Sequence, residues 1–401
     1  MINPLPVVFA ELRRSRAGAA AAIALVAVAA ALGVAITAQE RALRQGSARA
    51  ADSFDLLVGR RASPTQLVLA TVYLQPDAID LLSGETLKRL QAEPGAARVV
   101  PLVFGDSYRG QPVIGSSADF VTDGGRRPLA EGRVFTTMRE VVVGSRVPIG
   151  LGESFAPTHG HVEDAELVHA GFTYVVVGRL PPLGTPWDRA ILAPIEALWR
   201  VHARPTGHAP GIDRIGSPWD VDDATGASVI VVKPRSVADA YRLRARYREG
   251  DTMAVFPAEV LVELYGMLGD ARRLLSVFTL LTQALVIAAV LLAVFAVEAQ
   301  RRRQLGILRA LGASRAYVFS VVWLHVTVLV GAGAVLGLLL GWLGAWGISR
   351  ALAARTGLAL AVAVERPEIS LIAALIVVGA LFAAWPAWRC YRRPASALLR
   401  S

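Results

Sequence analysis

Four long apolar runs interrupt the chain and predict four membrane-spanning helices. They cover Ala17–Ala38, Leu274–Val297, Tyr317–Ile348 and Ile369–Trp388. Each run reaches the roughly 20 residues that an α-helix needs to cross a hydrocarbon core of about 30 Å. The third run is longer than one span, so we expect it to tilt or to project beyond the bilayer.

Residues 39–270 lie between the first two apolar runs and show a mixed pattern of strands and helices. Short β-rich runs bounded by turn residues predict strands. These runs are Phe54–Val58, Gln66–Leu74, Arg98–Phe104, Glu140–Val143, Phe172–Gly178, Arg189–Ala193, Ser228–Lys233 and Thr252–Phe256. Helices are predicted at Ala78–Gln91, Ser236–Arg248 and Pro257–Asp270, the last one leading towards the second span.

The strand, helix and strand between 228 and 256 predict a β-α-β unit with some parallel or split pairing in the sheet. The predicted fold class is an α-helical membrane protein with four transmembrane helices plus a large mixed α+β extracytoplasmic domain between helices 1 and 2.

Composition agrees with a membrane protein, since 54% of the 401 residues are hydrophobic. The net charge of +10 could indicate nucleic-acid binding, but its distribution argues against that class. Residues 39–270 hold 25 basic and 28 acidic side chains, whereas the rest of the chain holds 17 basic and 4 acidic ones. The basic excess therefore lies beside the apolar runs, where it fits anionic lipid and sets topology.

Arginines in the short flanking segments predict the orientation. They concentrate before the first run, between the second and third, and after the fourth. Cytoplasmic loops carry this excess, so segments 1–16, 298–316 and 389–401 are predicted to be cytoplasmic. Residues 39–270 and the short loop 349–368 are then outside. A cleaved signal peptide over residues 1–38 is the rival interpretation, but the apolar stretch exceeds the usual 7–15 residues. We therefore expect a multi-pass protein of a bacterial inner membrane.

The third apolar run carries Gly333, Gly337 and Gly341 at four-residue spacing. Small residues at this spacing allow another helix to approach closely. Two interpretations stay open: packing between helices of one subunit, and a seam between two copies.

Catalytic motifs are missing from the sequence, which argues against an enzyme. Only two lysines occur, Lys88 and Lys233, and neither follows the glycine pattern of a phosphate-binding loop. The cluster of His159, His161 and His169 with nearby acidic residues matches no established zinc spacing. A solvated polar loop is the better interpretation there, with metal binding as the alternative. We expect no cofactor bound by this chain.

The loop after the second run, RRRQLGILRALGAS at 301–314, has an amphipathic apolar face that suits docking of a cytoplasmic partner. A simple arginine anchor at the lipid headgroups is the other interpretation. Together with the span order, the tail Trp385–Arg389 and the segment Leu129–Ser145, this loop resembles the FtsX-like family of ABC transporter permeases, the group with MacB-type and LolC/LolE-type proteins. Gln304 stands where the family often has a glutamate.

The resemblance implies a permease subunit that pairs with a second permease, identical or paralogous, and binds a separate cytoplasmic P-loop ATPase, which uses ATP and Mg²⁺. It also implies contact with membrane lipid and a periplasmic partner protein, and no nucleic acid. The alternative is a non-transport regulator that relays an ATPase signal to an extracytoplasmic enzyme such as a cell-wall hydrolase. A membrane-anchored receptor without an ATPase is a third reading. The residues assigned to ATPase coupling are Gln304, Leu305, Gly306, Ile307, Leu308, Arg309, Ala310, Leu311, Gly312 and Ala313.

Overall fold

The computed structural model describes residues 3–77, 79–159, 171–209, 212–219, 225–266 and 312–392, with scattered residues between 269 and 288. The chain divides into two units. The first comprises Met1–Arg44, Met267–Ala351 and Leu360–Ser401, and the second comprises Gln45–Gly266 and Leu352–Ala359.

Nine α-helices have both ends among the described residues. They are α1 (Leu5–Arg14), α2 (Arg16–Ala51), α3 (Pro64–Val72), α4 (Gly84–Gln91), α5 (Ala118–Val121), α6 (Ile195–Val201), α7 (Val237–Arg246), α8 (Arg315–Thr356) and α9 (Arg366–Arg392). Residues 257–266 are also helical, as predicted for the start of Pro257–Asp270.

Three helices of the described residues are long and apolar enough to cross a membrane: Arg16–Ala51, Arg315–Thr356 and Arg366–Trp385. The predicted second span, Leu274–Val297, lies largely outside the described residues. Large apolar side chains such as Leu339, Leu381 and Phe382 are more than half exposed on these helices. Such a surface is stable against lipid tails and unstable in water, so this is a membrane protein.

Inside the first unit, the long helices pack through small and β-branched side chains. Val26, Ala30, Val330 and Ala334 are at most 2% exposed and form one cluster together with Ile372. These residues come from α2, α8 and α9, so the three helices share one packed interior.

The second unit is built on a mixed sheet of eleven strands. They are β1 (Leu56–Arg60), β2 (Ala96–Tyr108), β3 (Gln111–Ser116), β4 (Glu131–Gly132), β5 (Glu140–Val143), β6 (Ser154–Phe155), β7 (Thr158–His159), β8 (Tyr174–Arg179), β9 (Ile191–Pro194), β10 (Val229–Pro234) and β11 (Thr252–Val255). The order is β11-β1-β10-β2-β3-β9-β5-β8-β4, with β6 beside β8 and β7 beside β2.

The predicted β-α-β unit is present in its split form. Strands β10 and β11 lie on either side of β1, and both are antiparallel to it. Leu57 of β1 faces Val231 on one side and Val255 on the other. Helix α7 connects the two outer strands, as the sequence pattern predicted.

Strand β2 joins the two halves of the sheet. Its first part, up to Leu102, pairs with β10, and its second part, from Val103, pairs with β3. Apolar side chains from both halves, including the fully buried Tyr174 and Trp199, belong to a single core cluster. The two halves therefore fold around one shared strand and one core.

The predicted strand Gln66–Leu74 is wrong, because these residues form helix α3. Ser63 caps the helix by accepting a hydrogen bond from the Gln66 amide, and Pro64 stands in its first turn. Both features favour a helix start. Leu67, Val68 and Val72 are buried almost completely, so packing overrides the strand preference of the β-branched residues.

Helix α4 is shorter than the predicted helix Ala78–Gln91. It begins at Gly84, where the Ser83 side chain accepts a hydrogen bond from the Thr86 amide at 3.3 Å. Within the segment before it, Leu82 forms an isolated bridge to Ala227 instead of a helical turn. The remaining predicted strands overlap observed ones.

Candidate functional site

The glycine positions of α8 lie against α2 of the same chain. A methyl group built on Gly333 would lie 2.6 Å from the Cβ of Val26, and one on Gly337 would lie 2.5 Å from the Cβ of Ala30. Gly341 meets Val34 in the same way at 2.8 Å. Side-chain carbons do not approach this closely, so only glycine permits the spacing of these two helices. Within the described residues, the glycine row is a packing seam inside one subunit.

A buried ion pair joins α2 to α9 within the first unit. The Nη1 of Arg41 lies 2.6 Å from the Oε1 of Glu368, whose side chain is fully buried. The guanidinium also donates to the carbonyl oxygen of Ala363, and the Glu365 amide donates to Glu368 at 2.9 Å. A charge pair in such surroundings is stable only when its remaining hydrogen-bonding groups are satisfied, and these contacts supply that.

The carboxyl-terminal end of α8 is held by two arginines of the second unit. Arg146 Nη1 donates to the carbonyl oxygen of Ala353 at 2.8 Å, and Arg189 Nη1 donates to that of Arg355. The last carbonyls of a helix lack partners within the helix and carry the negative end of its dipole. Two positive donors at this position therefore stabilise the helix end and tie it to the sheet domain.

The residues after α8 complete this attachment. Gly357 has a φ of +77°, the left-handed conformation that ends many helices, and a side chain there would come within 2.9 Å of the Pro186 Cα. The Ala359 amide then donates to the Gly184 carbonyl at 2.8 Å. Segment 352–359 is thus a structural part of the second unit, although it follows the third apolar run in sequence.

An ion pair organises the turn between β4 and β5. Arg133 forms a two-pronged pair with Glu140, with 2.8 Å between Nη1 and Oε2. The Thr136 amide donates to the same carboxylate at 2.7 Å. The Arg133 hydrogen bond, together with those from Thr136, lowers the pKa of Glu140 to about 2. Gly132 has a φ of +74°, and a side chain there would overlap the Val177 carbonyl.

The structure tests little of the predicted coupling segment. Residues 304–311 lie outside the described residues, and only Gly312 and Ala313 are described, just before α8 begins at Arg315. His161 and His169 also lie outside them, as does the side chain of His159. Among the residues that the structure describes, no group of three or more histidine, cysteine or acidic side chains could hold a metal ion.

Sequence reasoning missed the long-range contacts made by Arg41, Glu368, Arg146 and Arg189. One usable signal existed for the first pair. Arg41 follows the first apolar run and Glu368 precedes the fourth, and both flanks were predicted to face the same side of the membrane. Opposite charges at the same depth of a helix bundle favour a pair. The contacts of Arg146 and Arg189 had no comparable signal.

Part of the membrane region is similar to a known protein family. Residues 276–395 match the family described as FtsX-like permease C-terminal. This region is similar to FtsX-like permease domains. The predicted resemblance is therefore confirmed, and the region includes the glycine row of α8 and the buried Glu368. No curated protein matches the chain.

Two solved structures are similar to part of the chain. The extracellular domain of the noncanonic ABC-type transporter YknZ from Gram-positive bacteria is 14% identical, with a TM-score of 0.29, over 50% of this chain and 98% of that one. The periplasmic region of MacB from Actinobacillus actinomycetemcomitans is 11% identical, with a TM-score of 0.32, over 54% and 95%. Similarities of this size carry no information about substrate.

Proposed function

We propose that the chain is the permease subunit of an ABC transporter in a bacterial inner membrane, with four spans and both termini in the cytoplasm. A separate ATPase would bind residues 304–313, and its ATP-driven closure would move the spans and the domain outside. The observation that carries this proposal is the match of residues 276–395 to FtsX-like permeases. The amphipathic pattern of Leu305, Ile307, Leu308 and Leu311 supplies the docking surface.

Helix α8 provides a physical route for the coupling. It is one unbroken helix of 42 residues, about 63 Å long at 1.5 Å per residue. It starts directly after Gly312 and Ala313, and its final turn carries the carbonyls bound by Arg146 and Arg189. Because the end of this helix is hydrogen-bonded to the sheet domain, we expect a displacement of the helix to reach that domain. The proposed work is export, lipoprotein or lipid extraction, or force transmission to a partner outside.

The test is association with an ATPase. The full chain is purified from native membranes in mild detergent, its partners are identified by mass spectrometry, and ATP hydrolysis of the preparation is measured. We expect a partner whose sequence contains a phosphate-binding loop, and we expect Leu308→Asp to remove both the partner and the activity. Leu151→Asp is the matched control, since Leu151 is an exposed leucine in the sheet domain.

The proposal fails if wild-type protein carries no such ATPase, or if Leu308→Asp retains it as well as Leu151→Asp does. A partner that stays bound to Leu308→Asp would place the docking surface elsewhere. Protease or labelling data that put residues 305–313 outside the membrane would contradict the orientation itself.

A further inference from the structure

A cavity of about 570 Å³ lies within the second unit, between the last turn of α2 and the sheet. This volume falls in the range typical of ligand pockets, about 300–1,000 Å³. One wall is apolar and consists of Val100, Leu180, Leu192 and Val231. The lining also carries five basic side chains, Arg49, Arg98, Arg126, Arg127 and Lys233, and three acidic ones, Asp52, Asp55 and Asp123.

Three aromatic side chains, Phe54, Phe120 and Trp187, line this cavity. The ring centroids of Phe120 and Trp187 are 4.8 Å apart, and Phe54 lies 5.9 Å from Trp187. Phe54 and Trp187 are buried, whereas Phe120 is only partly covered. The indole N–H of Trp187 is buried without a hydrogen-bond acceptor among the described residues. An unsatisfied buried donor is costly, so a ligand oxygen near it would be favourable.

The charged side chains that line the cavity differ in whether they already have an ion-pair partner. Arg98 lies against Asp123 and within 3.7 Å of Asp119, and Arg126 lies 3.0 Å from Asp123. Burial alone would raise the pKa of Asp123, but the hydrogen bonds from Arg98 and Arg126 outweigh it and lower the pKa below its usual value. Asp123 therefore stays ionised and accepts hydrogen bonds from both of these arginines.

Arg127 differs from its neighbours because its guanidinium makes no hydrogen bond or ion pair with a side chain of the described residues. It is nevertheless partly buried, and that burial lowers its pKa. A guanidinium offers five N–H donors and binds carboxylate or phosphate with two of them at once. A partly desolvated cation without a side-chain hydrogen bond among the described residues, in a cavity also lined by aromatic side chains, is therefore a favourable place for an anion with an apolar body.

We propose that this cavity binds a single-chain lipid with an anionic head group, its head on Arg127 and its chain against Phe54, Phe120 and Trp187. Lipids of this kind are available to a membrane protein, and the head is a carboxylate or a phosphate. Leu183 and Trp187 of the cavity wall flank Gly184 and Pro186, which contact segment 352–359. A bound lipid would therefore lie next to the residues that hold the end of α8.

The experiment uses the full chain in nanodiscs of phosphatidylcholine and a diazirine derivative of a twelve-carbon fatty acid. After illumination, the labelled peptides are mapped by mass spectrometry. We expect labels on the peptides that contain Phe120 and Leu183–Trp187. Unlabelled laurate or dodecyl phosphate should compete, and their relative potency identifies the head group. Dodecanol, which has the same chain and no charge, should compete at least tenfold less well.

Variants separate the head contact from the chain contact. Arg127→Gln should reduce labelling at least fivefold, whereas Arg127→Lys should retain part of it. Phe120→Ala should weaken labelling without changing the advantage of laurate over dodecanol. Arg248→Gln is the matched control, an exposed arginine of the same unit that does not line the cavity. Each variant is compared with the wild type in thermal unfolding.

The proposal is overturned if the labels fall outside the cavity, if dodecanol competes as well as laurate, or if Arg127→Gln is labelled like Arg248→Gln. None of these measurements needs ATP or an ATPase. Their failure would leave the permease assignment untouched, and failure of the ATPase association would leave this cavity untouched.

Discussion

Replacing Gly337 of α8 by alanine should loosen the helix interior of the first unit. The added Cβ would lie 2.5 Å from the Cβ of Ala30, 2.6 Å from the carbonyl oxygen of Ala27 and 3.1 Å from the amide nitrogen of Ala31. Carbon atoms normally stay about 3.5–4.0 Å apart, so the two helices would have to separate locally by roughly 1–1.5 Å. Backbone atoms are among the obstacles, so a rotamer change cannot relieve the clash.

The expected cost is about 1–3 kcal/mol, the usual range for overpacking a tight interior. Two controls on the same helix isolate it. Gly331 and Gly344 have no heavy atom within 4 Å of an added Cβ, so alanine there changes helix propensity without a clash. Both variants should be as stable as the wild type or slightly more stable. Gly337→Leu should be worse than Gly337→Ala and should lower the yield of assembled complex.

The assay is unfolding of the purified full chain in mixed micelles by titration with sodium dodecyl sulfate, followed by tryptophan fluorescence. Equal midpoints for Gly337→Ala and Gly344→Ala would refute the reasoning, because the two changes are identical apart from their neighbours. A loss at Gly344 as large as that at Gly337 would show that glycine flexibility matters, not close approach.

Two further predictions concern ion pairs. Glu368→Ala should lower the free energy of unfolding by about 3–5 kcal/mol in the same titration, because it leaves the buried Arg41 without its main partner. Glu365→Ala removes a half-exposed partner of the same arginine and should cost under about 1 kcal/mol. Equal costs for the two variants would contradict the buried pair. For Glu140, a pKa lowered to about 2 means that its pair with Arg133 stabilises the fold above the ordinary glutamate pKa of about 4.3, and that this contribution disappears as pH falls towards 2. Glu140→Gln should therefore lower the thermal unfolding temperature of the full chain at pH 7, and the difference from wild type should shrink between pH 4 and 2.5; a difference independent of pH would argue against the pair.

Helices and strands with a strong local pattern could be predicted from the sequence. The family resemblance could be predicted from it as well. Three of the four long apolar runs became α2, α8 and α9, and the strand, helix and strand near the end of the sheet domain became β10, α7 and β11. Each of these depends on periodicity over its own residues. At α3 the local composition led to a wrong strand prediction, although the Ser63 cap and Pro64 were visible signals for a helix.

The contacts that shape the candidate site could not be predicted in this way. The Arg41–Glu368 pair joins residues 327 positions apart, and the Arg146–Ala353 hydrogen bond joins residues 207 apart. A single sequence contains no signal that relates such distant positions. The cavity around Arg127 likewise needs residues from α2, α5 and several strands, and it exists only once the sheet is assembled.

The membership of segment 352–359 in the second unit has a practical consequence for anyone who studies that domain alone. A soluble fragment that stops at Gly266 would lack the carbonyl oxygens that accept hydrogen bonds from Arg146 and Arg189, and it would lack the Ala359 amide that donates to the Gly184 carbonyl. Grafting residues 352–359 onto the fragment through a short flexible connector would restore those hydrogen bonds. Ligand affinities and crystal contacts obtained without that graft would describe a face that lacks these hydrogen-bond partners.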